Sequence, residues 1–447
     1  MSRIPFLAHA SLDDNLAWGP GGPVTVRRFL AEAQLLAEQL PAGRHLLNVC
    51  QDRYRFAVGF AAGLLSGRVS LQPSSQSAET LRNIRQQTPD VVCLCDGEFA
   101  SLDLPRLDYP DLSAADADAV RAIPDIAADA VAACLFTSGS TGAPMPHFKR
   151  WGQLVGSGRA EAKRLGLVGR PHVIVGTVPV QHAFGFESTF LLALQGAATF
   201  WSGKPFYPQD IAAALKAVPQ PRLLVTTPFH LANLLSADIE LPAIDLVLSA
   251  TAPLSSELAA RAESRFQAPL LEIFGSTETL QIASRRPTHG AAWHLLPGIE
   301  LNQQDDLTIA RGGHVEAGMT LSDAIELLPD RHFLLHGRHA DLVNIAGKRT
   351  SIAYLNHQIA AIPGVIDAAF FLPDDTTPDG VTRLAAFVVA PGLERRQLVA
   401  ELRRRIDPIF QPRPLVFLDH LPRNAAGKLP RAELAALHAA HTAHAGN

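Results

Sequence analysis

Short β-branched or leucine-rich segments alternate with amphipathic helical segments along most of the chain. The first helical segment runs from Val24 to Leu40, where apolar residues recur with the period of an α-helix. Strands and helices then take turns, from HLLNVC at residues 45–50 to LLEIFG at residues 270–275. Such alternation is typical of parallel sheets, because each parallel strand pair needs a crossover connection. The sequence therefore predicts an α/β fold, with parallel-rich sheets and flanking helices in a large N-terminal domain.

The pattern changes near residue 337. The rest of the chain predicts three strands, at residues 366–372, 383–390 and 414–419, and three helices, at residues 351–362, 394–406 and from Arg431 onward. About 105 residues in this arrangement suit a small α+β domain. We expect an N-terminal domain of residues 1–340 and a C-terminal domain of residues 341–447, with the boundary close to Asp341.

Composition limits the classes of partner. Hydrophobic residues make up 47% and charged residues 18% of the 447 residues, as in soluble globular proteins. The net charge of -4 gives no overall positive field, which disfavours a nucleic acid partner. No uninterrupted apolar stretch reaches about 18 residues and the N-terminus turns acidic early, so we expect no membrane span and a cytoplasmic location.

The four cysteines all lie in apolar runs: Cys50, Cys93, Cys95 and Cys134. None belongs to a CxxC pair with a second CxxC or with spaced histidines. This pattern favours buried thiols over metal ligands or disulfides.

A glycine- and hydroxyl-rich loop follows a predicted strand in LFTSGSTGAPMPHFK, residues 135–149. Its hydroxyls and unobstructed backbone N–H groups are suited to polyphosphate binding. The alternative is a flexible Gly/Ser turn. The loop is not a Walker A motif, because no Gly-Lys-Ser/Thr follows at the required distance.

Further segments, which follow one another in order along the chain, favour a nucleotide site over a flexible turn. They are PVQHAFGF at 179–186, LSATAP at 248–253, IFGSTE at 273–278, Ser322-Asp323, GR at 337–338 through GKR at 347–349, and PRNAAGK at 422–428. Together with the loop they resemble the adenylate-forming superfamily of acyl-CoA synthetases, aryl-acid ligases, luciferases and adenylation domains of peptide synthetases. The match runs from about residue 45 to residue 431. The resemblance implies a large N-terminal domain and a small mobile α+β C-terminal domain.

The resemblance also implies roles for the residues that bind ATP. The β- and γ-phosphates would be wrapped by the loop residues Thr137, Ser138, Gly139, Ser140, Thr141 and Gly142. Thr277 would contact the α-phosphate, and Glu278 would bind Mg²⁺. The adenine would be held by Ser249, Ala250, Thr251, Phe274 and Gly275, and the ribose by Asp323 with Arg338 nearby.

Two further residues would act on the acid. His182 and the neighbouring Phe184 would border the acyl pocket, although a histidine at a helix start can equally serve as a backbone hydrogen-bond partner. Lys428 resembles the mobile catalytic lysine, whose ammonium bridges the substrate carboxylate and the α-phosphate during adenylation. The alternative for Lys428 is a solvated surface lysine.

The chain departs from the superfamily pattern at two places. Met145 stands where the loop usually continues with lysine, so Lys149 or His147 is the candidate to reach the phosphates instead. The stretch PHFKRW resembles a subgroup of stand-alone ligases from aryl polyene and xanthomonadin-type pigment pathways. At the hinge, Ala340 stands two residues after Arg338, where many relatives carry Asp or Lys, and Asp341 comes one place later.

The sequence therefore predicts an AMP-forming acid–thiol ligase that uses ATP and Mg²⁺ to convert a small carboxylic acid, aryl or medium acyl, into an acyl-adenylate. The thiol acceptor is either coenzyme A or the phosphopantetheine of an acyl carrier protein. The arginines of RRQLVAELRRR could meet an acidic carrier, or form a solvated basic face. The alternative function is a non-catalytic nucleotide-binding or scaffold protein, which Met145 alone supports.

Overall fold

The computed structural model describes residues 2–73, 78–97, 104–138, 144–170, 172–305, 307–338, 342–345, 348–373, 383–424 and 429–443. All statements on the fold and the site refer to these ranges.

The strands of the described ranges are short and spread over the whole chain. In chain order they are β1 Arg3–Pro5, β2 Asn15–Gly19, β3 Gly22–Thr25, β4 His45–Asn48, β5 Val69–Gln72, β6 Val91–Cys95, β7 Arg106–Asp108, β8 Asp125–Ala127, β9 Val131–Ser138, β10 Pro144–Arg150, β11 Val173–Gly176, β12 Thr199–Trp201, β13 Arg222–Thr226, β14 Leu246–Ser249, β15 Leu270–Ser276, β16 Leu280–Arg285, β17 Trp293–Leu295, β18 Glu300–Gln304, β19 Leu307–Gly312, β20 Val315–Leu321, β21 Asp323–Leu328, β22 His332–Arg338, β23 Leu342–Ile345, β24 Lys348–Ser351, β25 Asp367–Phe371, β26 Ala385–Val389 and β27 Leu415–Phe417.

The helices connect these strands. They are α1 Val26–Gln39, α2 Arg53–Leu65, α3 Ala78–Gln87, α4 Trp151–Arg164, α5 Ala183–Gly185, α6 Leu192–Gln195, α7 Pro208–Ala217, α8 Pro228–Ser236, α9 Ser256–Phe266, α10 Ile352–Ala360, α11 Arg395–Arg405 and α12 Arg431–Ala443. A π-helical turn, Phe186–Leu191, joins α5 to α6. In the ranges listed above, no helix combines the length and the apolar character that crossing a bilayer requires.

Two large sheets carry the predicted parallel core. The first has the order β10-β9-β5-β4-β6-β7, in which only the edge strand β10 is antiparallel to its neighbour. The second has the order β21-β22-β17-β16-β15-β14-β13-β11-β12-β2-β3, and its parallel part runs from β15 to β2. The α/β fold with parallel-rich sheets and flanking helices is thereby confirmed.

The second sheet also contains antiparallel strands that the sequence did not reveal. β16, β17, β22 and β21 extend it beyond β15, each antiparallel to its neighbour. The apolar segment FESTFLLALQG, residues 186–196, is helical up to Gln195, but its first part is the π-helical turn. Both features depend on tertiary pairing and packing, which local periodicity does not report.

The start of α2 joins the two large sheets. Arg53 is fully buried, and its guanidinium donates to the carbonyl oxygens of Trp201, Gly203, Gly176 and Val178 at 2.8–3.2 Å. These carbonyls belong to, or directly follow, β12 and β11 of the second sheet, whereas α2 connects β4 to β5 of the first. Burial lowers the pKa of Arg53 to about 10, so the side chain keeps its charge at neutral pH.

The C-terminal part has its own small sheet and core. β25, β26 and β27 form a three-stranded sheet at the three places where strands were predicted, and α10, α11 and α12 coincide with the predicted helices. Buried side chains on one face of this sheet, such as Phe370 and Val388, pack with Leu355 of α10 and Leu398 of α11. The boundary near Asp341 lies outside the described residues and stays a prediction, as do the domain limits 1–340 and 341–447.

The cysteines are buried thiols, as predicted. Cys50, Cys93, Cys95 and Cys134 form no disulfide, and burial raises the pKa of each thiol. They pack as small apolar side chains.

Candidate active site

Several predicted site segments follow parallel strands of the second sheet. They come after β11, β14 and β15, whose carboxyl ends lie along one edge because the strands are parallel. We call this edge the carboxyl edge. Ligands of open α/β sheets bind in the crevice outside such an edge. The topology therefore gathers segments that are up to about 100 residues apart in the chain.

The phosphate-loop hairpin consists of β9 and β10. Met145 pairs with Thr137, and Pro144 with Ser138, so the two strands are antiparallel. Gly139, Ser140, Thr141 and Gly142 lie outside the described residues, and their contacts with phosphates stay a prediction. Met145 is 55% exposed on the edge strand.

The hairpin meets Glu278 of the second sheet. Lys149 of β10 is only 5% exposed, and its ammonium donates a hydrogen bond to the backbone carbonyl oxygen of Glu278 at 2.5 Å. His147 Nε2 lies 3.8 Å from Glu278 Oε1. Burial lowers the pKa of His147, and the carboxylate of Glu278 opposes this effect. The predicted phosphate-binding and metal-binding segments are thus neighbours in space.

The turn that carries Thr277 and Glu278 is held by its own hydrogen bonds. Ser276 N–H donates to Thr279 Oγ1 at 3.2 Å, and Thr279 N–H donates to Ser276 Oγ at 3.3 Å. Gly275 precedes this turn at a point where a side chain would meet the Leu280 carbonyl and, at 2.7 Å, the Cα of Gln281. The tight packing fixes the direction in which the turn leaves β15.

Phe274 packs beside this turn in a group of aromatic rings. Its ring centroid lies 5.5 Å from that of Trp293 and 5.8 Å from that of Phe333. Its side chain is half-buried, so one part of the ring stays accessible. The adenine contact predicted for this ring is compatible with that exposure and stays a prediction.

The segment after β14 has a strained backbone. Thr251 adopts a left-handed φ of 81°, which is unfavourable for a β-branched residue. The hydroxyls of Ser249 and Thr251 are buried, and neither has a hydrogen-bond partner within the described ranges. Strain and unsatisfied polar atoms of this kind concentrate at ligand sites. These observations mark the segment as a candidate ligand site, and the adenine-binding role of Ser249, Ala250 and Thr251 stays a prediction.

An ion pair behind this segment escaped the sequence analysis. Glu272 accepts from the Leu254 N–H at 3.3 Å and from Arg285 Nε at 2.7 Å. The guanidinium of Arg285 also lies 4.7 Å from the centre of the Trp293 ring. The pair ties the loop after β14 to β15 and β16. An acidic residue inside the otherwise apolar strand LLEIF was the signal for it.

Asp323 and Arg338 are brought together, as the superfamily pattern suggests. They are cross-strand partners at one end of the β21–β22 hairpin. The Asp323 carboxylate lies beside the partner strand β22 and is a suitable acceptor for the two hydroxyls of a ribose. The ribose contact stays a prediction.

His182 caps the short helix α5. Its Nδ1 accepts a hydrogen bond from the Phe184 N–H at 3.3 Å, which is the backbone role considered as its alternative. This bond occupies one ring nitrogen and fixes the orientation of the imidazole. Phe184 is buried beside it, whereas Phe186 belongs to an aromatic core with Phe56 and Phe60.

Lys428 lies outside the described residues, but both flanks of its loop are anchored to β25. Arg423 binds the carboxylate of Asp367. Arg431 donates to the Leu372 carbonyl at 3.1 Å, and its guanidinium lies 5.3 Å from the centre of the Phe371 ring. The catalytic role of Lys428 stays a prediction, as does the hinge at Ala340 and Asp341, which also lies outside the described residues.

A buried acidic group next to the site was also missed. Glu161 of α4 and Glu187 of the π-helical turn are both almost fully buried, and burial raises the pKa of each to about 8. Ser188 Oγ donates to Glu161 at 2.7 Å, and the Gln281 N–H donates to Glu187 at 2.9 Å. The signal in the sequence was a glutamate within the apolar helical segment FESTFLLALQG.

Comparisons with known proteins show the family and the fold of the chain. Residues 40–309 match the family described as AMP-binding enzyme, and residues 356–428 match the AMP-binding enzyme C-terminal domain. The chain is similar to a 4-coumarate–CoA ligase of Rhodobacter capsulatus, with 30% identity over 298 residues that cover 65% of this chain and 73% of the relative. It is also similar to a 4-chlorobenzoate–CoA ligase of an Arthrobacter species, with 26% identity over 361 residues, 70% of this chain and 67% of the relative. Among solved structures, ATP-bound MatB from Rhodopseudomonas palustris shares the fold, with a TM-score of 0.81 and 19% identity over 96% of each chain.

Proposed function

Since the chain belongs to the AMP-binding enzyme family, we propose that it is an acid–thiol ligase that activates a carboxylic acid with ATP. One observation carries the proposal. The phosphate-loop hairpin and the Glu278 turn, 129 residues apart in the chain, are joined by the hydrogen bond from Lys149. A nucleotide bound between them would meet hydroxyl and N–H donors on one side and a carboxylate on the other.

Glu278 fits a role in holding Mg²⁺. Its side chain is 38% exposed beside the hairpin, and a carboxylate is the hard oxygen donor that Mg²⁺ prefers. Protein sites usually bind Mg²⁺ through one or two carboxylates together with the phosphates of the substrate. When bound, Mg²⁺ would neutralise charge on the phosphate oxygens. Glu278 would orient it, and the Thr277 hydroxyl would lie beside the α-phosphate.

In the proposed first step, a carboxylate oxygen of the acid attacks the α-phosphorus of ATP. The bond from that phosphorus to the bridging oxygen breaks, and pyrophosphate leaves. Lys428 would donate to the substrate carboxylate and the α-phosphate as charge shifts between them, a contribution of about 3 kcal/mol for a well-placed donor. The product is an acyl-adenylate.

In the proposed second step, a thiol sulfur attacks the acyl carbon and AMP leaves. Rotation of the small domain near residues 340–341 would withdraw Lys428 and open the path for the thiol. Coenzyme A is the acceptor that the names of the two CoA-ligase relatives support. An acyl carrier protein is the other candidate, because α11 ends in Arg403, Arg404 and Arg405, a basic surface suited to an acidic partner.

An aryl acid is the proposed substrate class. Both relatives are named for aromatic acids, 4-coumarate and 4-chlorobenzoate. The resemblance of PHFKRW to the aryl polyene subgroup agrees with this choice. The predicted border of the pocket, His182 and Phe184, combines a polar ring with an apolar one, as is common in ligand pockets.

ATP–pyrophosphate exchange tests the proposal on the full chain. Exchange should depend on an added acid and should be faster with 4-coumarate, cinnamate or benzoate than with octanoate. Glu278→Gln should abolish it, whereas Glu240→Gln should not, because Glu240 is an 89%-exposed surface residue paired with Lys216. Thioester formation with coenzyme A or a phosphopantetheinylated carrier then identifies the acceptor. A chain that binds ATP but exchanges pyrophosphate with none of these acids would instead be a non-catalytic nucleotide-binding protein.

A further inference from the structure

Lys149 holds the turn that carries Glu278. Lys149 projects from β10 of the first sheet, but its ammonium is bonded to the Glu278 carbonyl at the β15–β16 turn of the second. The side chain is 5% exposed. A lysine so enclosed does not extend towards solvent, where a triphosphate would lie.

The other end of the same turn is held by a second buried residue. Glu187, 4% exposed on the π-helical turn, accepts a hydrogen bond from the Gln281 N–H at 2.9 Å. Burial raises the pKa of Glu187, while the Gln281 N–H and the ammonium of Lys149 act in the opposite direction. The ammonium of Lys149 is therefore close enough to favour the ionised form of Glu187, although burial keeps this carboxyl largely protonated at neutral pH.

The segment from Glu278 to Gln281 is thus held at both ends, by a hydrogen bond to the Glu278 carbonyl oxygen and by one from the Gln281 N–H. The two groups that fix it come from different elements, β10 and the π-helical turn. These two hydrogen bonds restrict the backbone conformation that sets the direction of the Glu278 carboxylate. Misplacing a catalytic group by about 1 Å can cost about a hundredfold in rate.

We propose that Lys149 and Glu187 form a buried clamp that positions Glu278 for the cation of the bound nucleotide. The inference rests on the proposed function. Lys149 is then a positioning residue and does not touch the phosphates, although Met145 replaces the lysine usual at the end of the loop. The hypothesis that Lys149 reaches the phosphates makes a different prediction.

The test compares ATP affinity with and without Mg²⁺, measured by titration calorimetry on the full chain. Lys149→Met should reduce the gain in ATP affinity that Mg²⁺ provides by about tenfold and leave Mg²⁺-free ATP binding within about twofold of the wild type. Weaker Mg²⁺-free binding would place Lys149 on the phosphates and overturn the clamp. An unchanged Mg²⁺ effect would also overturn it.

A double variant separates positioning from stability. At about pH 9, where Glu187 with its pKa of about 8 is ionised, Lys149→Met leaves this carboxylate without its nearby cation and should lower the melting temperature. Adding Glu187→Gln removes that charge but keeps an oxygen to accept from Gln281, so the melting temperature should recover while the Mg²⁺ effect stays lost. Recovery of both would mean that Lys149 is merely structural. If Lys149→Met does not fold, the double variant alone is compared with the wild type, and a lost Mg²⁺ effect is still the expected result.

Glu161→Gln is the matched control. It neutralises a buried carboxyl of the same neighbourhood that bonds side chains, not the backbone of the turn. Its Mg²⁺ effect should equal that of the wild type, and a loss as large as in Lys149→Met would contradict the clamp. Because ATP binding needs no turnover, this experiment stays informative even if the wild type exchanges pyrophosphate with no acid.

Discussion

Arg423 donates two hydrogen bonds to the carboxylate of Asp367, from Nε at 2.8 Å and from Nη2 at 2.7 Å. The pair fixes the chain just before the predicted lysine loop to the first residue of β25. Two parallel N–H donors against one carboxylate define direction as well as distance. This ion pair therefore holds the chain at Arg423, five residues before Lys428, against the start of β25.

Arg423→Met should slow adenylation by about tenfold, because the lysine loop loses one of its two anchors. The melting temperature should fall only slightly, since the pair is partly exposed and contributes about 1 kcal/mol. Pyrophosphate exchange and thermal unfolding measure the two effects. Arg404→Met is the control, because Arg404 is 74% exposed and pairs within its own helix. Equal exchange rates in the two variants would contradict the anchoring role.

Lys428→Ala should reduce pyrophosphate exchange by about a hundredfold or more while sparing thioester formation from a supplied acyl-adenylate. In the proposed mechanism, the ammonium acts when charge moves on the α-phosphate, and the thiol step does not use it. Single-turnover assays of the two half-reactions provide the measurement. Equal loss in both would disprove a role limited to adenylation.

Gly275→Ala should impair the turn that carries Thr277 and Glu278. The new methyl group would press on the Leu280 carbonyl and on the Cα of Gln281, both of which are backbone atoms that yield poorly. Overpacking of this kind costs about 1–3 kcal/mol, and exchange should fall with it. Gly21→Ala, where no atom lies within 4 Å of the added carbon, should show neither effect in urea unfolding or in the exchange assay.

Stability should decline with rising pH through the buried carboxyl of Glu161. Burial raises its pKa from 4.5 to about 8, so between these values the folded chain holds a proton that the unfolded chain releases. The free energy of unfolding therefore falls as pH rises, and this contribution is lost above about pH 8. Glu161→Gln cannot ionise and should make the profile less steep, with the raised pKa of Glu187 still contributing. The variant should melt above the wild type at about pH 8. Melting curves from about pH 5 to 8 check this, with Glu240→Gln expected to follow the wild type.

The sequence alone predicted the parallel strands and the order of the site segments along the chain. Alternation of apolar runs with helical periods locates β11, β13 and β14, because each is a buried run apart from Arg222 at the start of β13. The antiparallel strands β16 to β22 were not identified, since their short segments mix buried and exposed residues and pair only through distant neighbours.

The partner of Lys149 could not be read from the sequence either. Its spacing from the glycine loop suggested a phosphate contact, yet the carbonyl that it binds is 129 residues away. Spacing describes what a local segment can reach, but a buried ammonium takes whatever acceptor the tertiary packing provides. The predicted meeting of the hairpin with Glu278 needed the superfamily resemblance, because each motif alone is compatible with an ordinary turn.

The junction at Arg53 has a consequence for how the N-terminal part melts. Separating the two sheets would leave the buried guanidinium of Arg53 without its acceptors and four carbonyl oxygens without their donor. Half-unfolded species are therefore costly, and the two sheets should lose their structure in one cooperative calorimetric transition although together they have enough residues for two independent ones.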